Sequence, residues 1–184
     1  MKKIVSIIII VFVSLNLNAQ EKTTEKDSVK KSSIDSSKVK TLDSTIKTLY
    51  AVISGEKGIE RNWDLFKFLF KPDAKLIPSG KDNDGVYKVR YMSPEDYIKS
   101  SGDWLFENGF FEKEISRTVN TFGNILQVFS SYESFKSESD DQPFMRGINS
   151  IQLLYDGERW WIINIFWTQE TTENPIPKKY LNKN

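Results

Sequence analysis

Neither cysteine nor histidine occurs anywhere in the 184-residue chain. Without cysteine there is no disulfide, no thiolate metal ligand and no thiol nucleophile. A lipid-modified N-terminal cysteine, which tethers some exported bacterial proteins, is excluded too. Without histidine the commonest metal ligand and the usual acid–base group near neutral pH are missing. Zinc sites, Ser-His-Asp triads and Cys-His pairs therefore cannot be built, and no metal or cofactor is expected. An excess of one charge is also lacking: 26 Lys and Arg stand against 25 Asp and Glu, a net charge of +1. A polyanion would find no attraction across the whole surface, so no nucleic-acid partner is expected.

The N-terminus has a different character. Lys2 and Lys3 precede an apolar run over residues 4–15, and Asn16, Leu17, Asn18 and Ala19 follow. This is the layout of a secretory signal peptide. The run is too short to cross a hydrocarbon layer of about 30 Å comfortably as a helix. Residues 1–19 are expected to be removed after residue 19 or 20, leaving a periplasmic or extracellular protein with no stable membrane anchor. Residues 21–40 read EKTTEKDSVKKSSIDSSKVK, without an aromatic residue, Gly or Pro. Such a stretch buries too little apolar surface to offset the entropy of ordering it, so 20–40 reads as a disordered linker, with a frayed helical extension as the alternative. The domain is then 41–181.

Within it, Leu42, Ile46, Leu49, Tyr50 and Ile53 recur at helical spacing, and Gly55 can stop that helix. A second helix is expected over 62–70, capped by Asn62 and ended by Pro72. Short strands over 74–77 and 86–91 follow. Ser93, Pro94 and Asp96 form the start signal of a third helix reaching about residue 107, with Tyr97, Ile98, Trp104 and Leu105 facing inward. Two long hairpins close the chain, turning at Gly123-Asn124 and at Asp156-Gly157. The order α-α-β-β-α-β-β-β-β is that of an α+β fold, with helices on one side of a mainly antiparallel sheet.

Three stretches carry a resemblance: residues 62–76 (NWDLFKFLFKPDAKL), residues 122–133 with 146–153 and 159–162, and the closing PIPKKYL of 175–181. They resemble the nuclear transport factor 2-like (NTF2-like) superfamily, SnoaL-like and DUF4440-like proteins included, and most nearly an uncharacterised exported bacterial branch. The resemblance implies a cone-shaped, strongly curved sheet wrapped around N-terminal helices, the cystatin-like roll. It also implies frequent dimers and a pocket at the cone's mouth. Members include steroid isomerases, dehydratases, polyketide cyclases and non-catalytic modules, so the fold leaves the function open.

Strict alternation locates a pocket. It groups Gly147, Asn149, Ile151 and Leu153 with Trp160, Ile162, Asn164 and Phe166 on one face. The other face takes Ile148, Leu154, Trp161, Ile163, Ile165 and Trp167, apolar enough to expect a second subunit against it. In the first hairpin Ile115, Arg117 and Val119 group with Leu126, Val128, Ser130 and Tyr132. A ligand pocket of Arg117, Tyr132, Asn149, Asn164 and Phe166 results, with Arg117 holding an anion and the others orienting it. The alternative is internal: the asparagines bond each other, and Arg117 pairs with Glu114 or Glu133.

A catalytic carboxylate is hard to find. Asp64 sits on a helix, Asp73 in a turn and Asp96 in a cap, so no catalytic residue is expected. The acidic run 137–141 lacks the spaced ligands of a calcium loop. Three readings remain: a homodimeric module binding a small, partly apolar ligand without catalysis; an isomerase, dehydratase or cyclase; and a structural protein-interaction module. A carboxyl group pointing into the cavity would favour the second. A closed cavity with Arg117 outside it would favour the third.

Overall fold

A computed structural model describes residues 34–181. The expected signal segment and most of the expected linker lie outside the described residues. Where that linker is described, Ser36–Val39 forms a 3-10 turn capped by Asp35, and Val39 is fully buried in the core. Ordered structure therefore begins ahead of residue 41, because Val39 packs under the first helix and the Thr48 hydroxyl donates to the Lys38 carbonyl.

Helix α1 (Leu42–Ile53) opens at a reciprocal cap between Thr41 and Ser44. Its apolar stripe of Ile46, Leu49, Tyr50 and Ile53 is buried, as the three-and-four spacing requires. Helix α2 (Trp63–Phe68) is capped by Asn62, whose side chain accepts from the Leu65 amide at 2.9 Å. It stops short of residue 70 because strand pairing has begun there. Helix α3 (Pro94–Asn108) starts at the Ser93–Asp96 capping box. It ends at Gly109, where φ is 71° and a Cβ would lie 2.4 Å from the Lys136 carbonyl oxygen. Trp104, expected inward, is 44% exposed. The inward stripe passes through Tyr97, Ile98 and Leu105, which leaves Trp104 at the rim with its ring edge-on to Phe110.

Among the described residues six strands form one open sheet: β1 (Phe70–Lys81), β2 (Tyr87–Val89), β3 (Phe111–Phe122), β4 (Ile125–Phe135), β5 (Met145–Tyr155) and β6 (Trp160–Gln169). Their order is β2-β1-β6-β5-β4-β3. All neighbours are antiparallel except β1 and β6, which run parallel. Strand β1 is longer than the 74–77 expected. Its pairing with β6 skips between Phe70 and Lys75, and Pro72, which has no amide to donate, falls in that skip. The core lies between the helices and one face of this curved sheet, where Leu49, Phe66, Leu69, Val128, Ile151, Leu153 and Ile162 are buried. Burying each such side chain contributes about 1.5–3 kcal/mol.

Two bulges break the alternation along the hairpins. In β3 the register passes from Glu114↔Tyr132 to Ser116↔Ser131, leaving Ile115 as an extra residue. In β6 it passes from Leu153↔Ile162 to Gln152↔Asn164, leaving Ile163 extra. An extra residue bends its strand and moves every side chain on one side of it to the opposite face. On the concave face β6 therefore places Ile162, then Ile165 and Trp167. Asn164 and Phe166 go to the convex face, which corrects the face assigned to them by alternation. Part of that convex face is covered by the chain itself: Tyr180 sets its ring edge-on to Phe129 at 5.0 Å and accepts from the Ser131 hydroxyl at 2.7 Å, and Ile176 is buried nearby.

Candidate functional site

The concave face and the helices enclose a cavity of about 140 Å³. Helices α1 and α2 supply Leu49, Ile53 and Phe66 to its wall, and β6 supplies Ile165 and Trp167. Its polar lining is Glu112 from β3, Tyr132 from β4, Asn149 from β5 and Tyr97 from α3, with no Lys or Arg among the described lining residues. Local structure explains each placement. The Ile115 bulge turns Glu112 and Glu114 onto the concave face that unbroken alternation denies them, because Glu114 pairs with Tyr132 and Arg117 with Ser130. Tyr132 crosses Gly147, its register partner, so closely that a Cβ there would lie 2.5 Å from the tyrosine hydroxyl. Tyr97 stacks on Phe66 with ring centroids 5.4 Å apart.

Glu112 is the carboxyl group among the described lining residues. Its Oε1 accepts from Asn149 Nδ2 at 3.1 Å, and its Oε2 accepts from the Ser134 hydroxyl at 3.4 Å. Burial raises its pKa to about 7, against the opposing pull of those two donors. A carboxyl poised near neutrality can both take and give a proton. Burial and the charge of Glu112 also push the Tyr97 and Tyr132 hydroxyls well above the ordinary tyrosine value, so both remain donors. Tyr132 is 1% exposed. Among the described residues no hydrogen bond engages its hydroxyl.

Of the five residues that alternation assigned to a pocket, the structure brings two together here, Tyr132 and Asn149. Asn164 and Phe166 lie across the sheet, Phe166 being 45% exposed. The two asparagines therefore do not bond each other. Asn149 donates instead to Glu112 and to the Tyr50 hydroxyl, the latter at 3.1 Å. Arg117 lies outside the cavity, its guanidinium bonded to Glu114 at 2.6 Å and 3.0 Å and to Asp43 at 2.7 Å. Sequence reasoning missed Glu112 altogether. Its one signal is the spacing Glu112-x-Glu114-x-x-Arg117, which puts three charges on a single face once a bulge is allowed.

No family model matches the chain, and no curated protein matches it. Solved structures do resemble it. One is a protein of unknown function with a cystatin-like fold from Nostoc punctiforme, 9% identical, with a TM-score of 0.52 over 70% of this chain and 87% of that chain. A second is a candidate scytalone dehydratase from Novosphingobium aromaticivorans, 14% identical, with a TM-score of 0.52 over 73% of this chain and 89% of the other. A third, an NTF-2 like protein of unknown function from Silicibacter pomeroyi, is 15% identical with a TM-score of 0.49 over 70% and 92%. At such identities the likeness is one of fold. That fold is the cystatin-like roll which the resemblance of the sequence motifs implies.

Proposed function

We propose that the cavity binds a small, uncharged, mainly apolar molecule bearing one hydrogen-bonding oxygen, and that Glu112 exchanges a proton with it. The observation that carries this reading is the Glu112 carboxyl inside an otherwise largely apolar cavity. Apolar walls with a few convergent polar groups are the usual form of a small-molecule site. A cavity of about 150 Å³ holds benzene, so the 140 Å³ here fits a ligand of about one ring. An anion would meet Glu112 with no cation in the lining to offset it, and burying it unpaired would be costly.

The chemistry within reach is proton transfer of the isomerase or dehydratase type. Glu112 as carboxylate would take a proton from carbon beside a carbonyl, while the Tyr132 or Tyr97 hydroxyl donates to the oxygen on which charge develops. Glu112 as carboxylic acid would then return the proton. The candidate dehydratase among the structural neighbours supports the fold of this reading, not its reaction.

The test is deuterium incorporation beside the carbonyl of a small cyclic ketone in heavy water at pH 7, with binding followed by ligand-observed NMR. We expect the protein to bind such ketones and to speed exchange, E112Q to bind without speeding it, and L49W, which fills the cavity, to do neither. Failure of native protein to bind would overturn the ligand reading. Binding without accelerated exchange would leave a binding module and remove the catalytic role. A structural, partner-binding module is favoured by one observation, the position of Arg117 outside the cavity, and the absence of binding in this screen is the outcome it expects.

A further inference from the structure

From the cavity a line of hydrogen bonds runs to the surface. Asn149 Nδ2 donates to Glu112 Oε1 and to the Tyr50 hydroxyl, each at 3.1 Å. Tyr50 and Ser130 share a hydrogen bond of 2.8 Å, and the Ser130 hydroxyl donates to Glu114 Oε1 at 2.5 Å. The other oxygen of Glu114 is gripped by Nε and Nη2 of Arg117, and Arg117 in turn meets Asp43 at the start of α1. The line joins β3, β4, β5 and α1.

Its direction follows from counting protons. The Glu114 carboxylate accepts and cannot donate. Ser130 has one proton and gives it to Glu114, so in its bond with Tyr50 it accepts. Tyr50 also has one proton, which goes to Ser130, so towards Asn149 its oxygen accepts. Asn149 must therefore turn its N–H₂ rather than its carbonyl oxygen to Tyr50, and the second proton of that N–H₂ is the one that meets Glu112. Because the amide donates to both sides, it cannot pass a proton along the line. What travels along it is orientation.

We propose that the Arg117–Glu114 pair acts through Ser130, Tyr50 and Asn149 to hold an amide donor against Glu112, so that a charge outside the cavity sets how readily the cavity carboxyl gives up its proton. This rests on the reading of Glu112 as the proton-transfer group. Arg117, Glu114, Ser130, Tyr50 and Asn149 are positioning residues in this scheme. The titratable groups facing Glu112 are Tyr50 from α1, Tyr97 from α3 and Tyr132 from β4, all held neutral by burial. Ser134 from β4 supplies its second donor.

The device separates from plain electrostatics by sign. In E114Q a nearby negative charge is lost, and Coulomb's law alone then makes Glu112 more acidic. The relay gives the opposite result. A glutamine can donate to Ser130, the serine and tyrosine protons reverse, the Asn149 carbonyl turns towards Glu112, and Glu112 retains its proton to higher pH. We expect the midpoint of the Glu112 carboxyl ¹³C titration, followed by NMR, to rise by roughly one pH unit in E114Q. In S130A every charge stays in place, so Coulomb's law expects no change and the relay again expects a rise. A fall in E114Q, or an unchanged midpoint in folded S130A, overturns the proposal. Should E114Q not fold, S130A decides alone, and Y50F is the second uncharged break, with the same rise expected. No ligand or activity enters the measurement. Failure of the relay therefore leaves the ketone-exchange result standing, and failure of exchange leaves the relay standing.

Discussion

Burial and hydrogen bonding act on Glu112 in opposite directions, and burial prevails. This has a consequence for stability. A carboxyl that titrates at 4.5 when unfolded and at about 7 when folded favours the folded state most where both forms are protonated, below pH 4.5. As pH rises from 4.5 to 7 the unfolded chain ionises first, so the contribution falls and is gone above the folded value. The shift corresponds to about 3 kcal/mol between the two ends of that window. Urea denaturation at pH 5 and pH 8 should therefore show native protein losing more stability than E112Q, by roughly 2–3 kcal/mol. Equal losses in the two proteins would mean that Glu112 is not held in an apolar setting. At this scale the sequence conceals the key residue, because a glutamate on an apparently outward strand position looks like any solvated glutamate.

The strands show where local reading stops. Two helix caps were legible: Asn62 and Ser93 each cap the helix that follows, since a cap involves atoms only three residues apart, whereas the Thr41–Ser44 cap of α1 came from the structure. The tight turns were legible too, with Gly123 at φ 57° and Gly157 at φ 101°. The bulges at Ile115 and Ile163 were not, because nothing in their own side chains demands an extra residue. Each arises where the strand must bend over the helices and still keep its partners. Deleting Ile163 would restore strict alternation along β6. Because Ile163 is the extra residue, Ile165 and Trp167 would keep the core face and Asn164 and Phe166 the convex face, while the bend that the bulge gives the strand would be lost. We expect this deletion to lower the midpoint of thermal unfolding followed by circular dichroism but to keep the transition cooperative, as should I163A, which keeps the bulge and loses a half-buried side chain. A deletion variant without a cooperative transition would show that β6 needs the bend of the bulge, and not only the order of its side chains, to keep these faces.

For the whole molecule, two expectations from the sequence stand as proposals: export with removal of the first 19 or 20 residues, and pairing of two copies. The convex face leaves Ile125 and Phe166 56% and 45% exposed, with Ile148, Leu154 and Trp161 half-buried around them. This is less apolar surface than alternation implied, because Ile165 and Trp167 have moved inward and residues 176–181 cover part of the rest. Native mass spectrometry of protein recovered from a secreting bacterium reads both points in one spectrum. A chain beginning at residue 20 or 21 and a mass twice that of one chain are expected, the second reverting to a single chain in F166E. A full-length chain would refute cleavage, and a monomer at micromolar concentration would refute pairing.

Taken alone, the amino-acid sequence determined which chemistries are excluded, where the helices and hairpins lie and which fold they build. These depend on composition and on contacts between residues near one another in the chain. The tertiary structure decided which side of the sheet each strand residue faces, that Glu112 enters the cavity with Asn149 and Tyr132, and that Arg117 stays outside it. One extra residue per strand is enough to exchange the two faces, and only the closing of the sheet over its helices determines where that residue is placed.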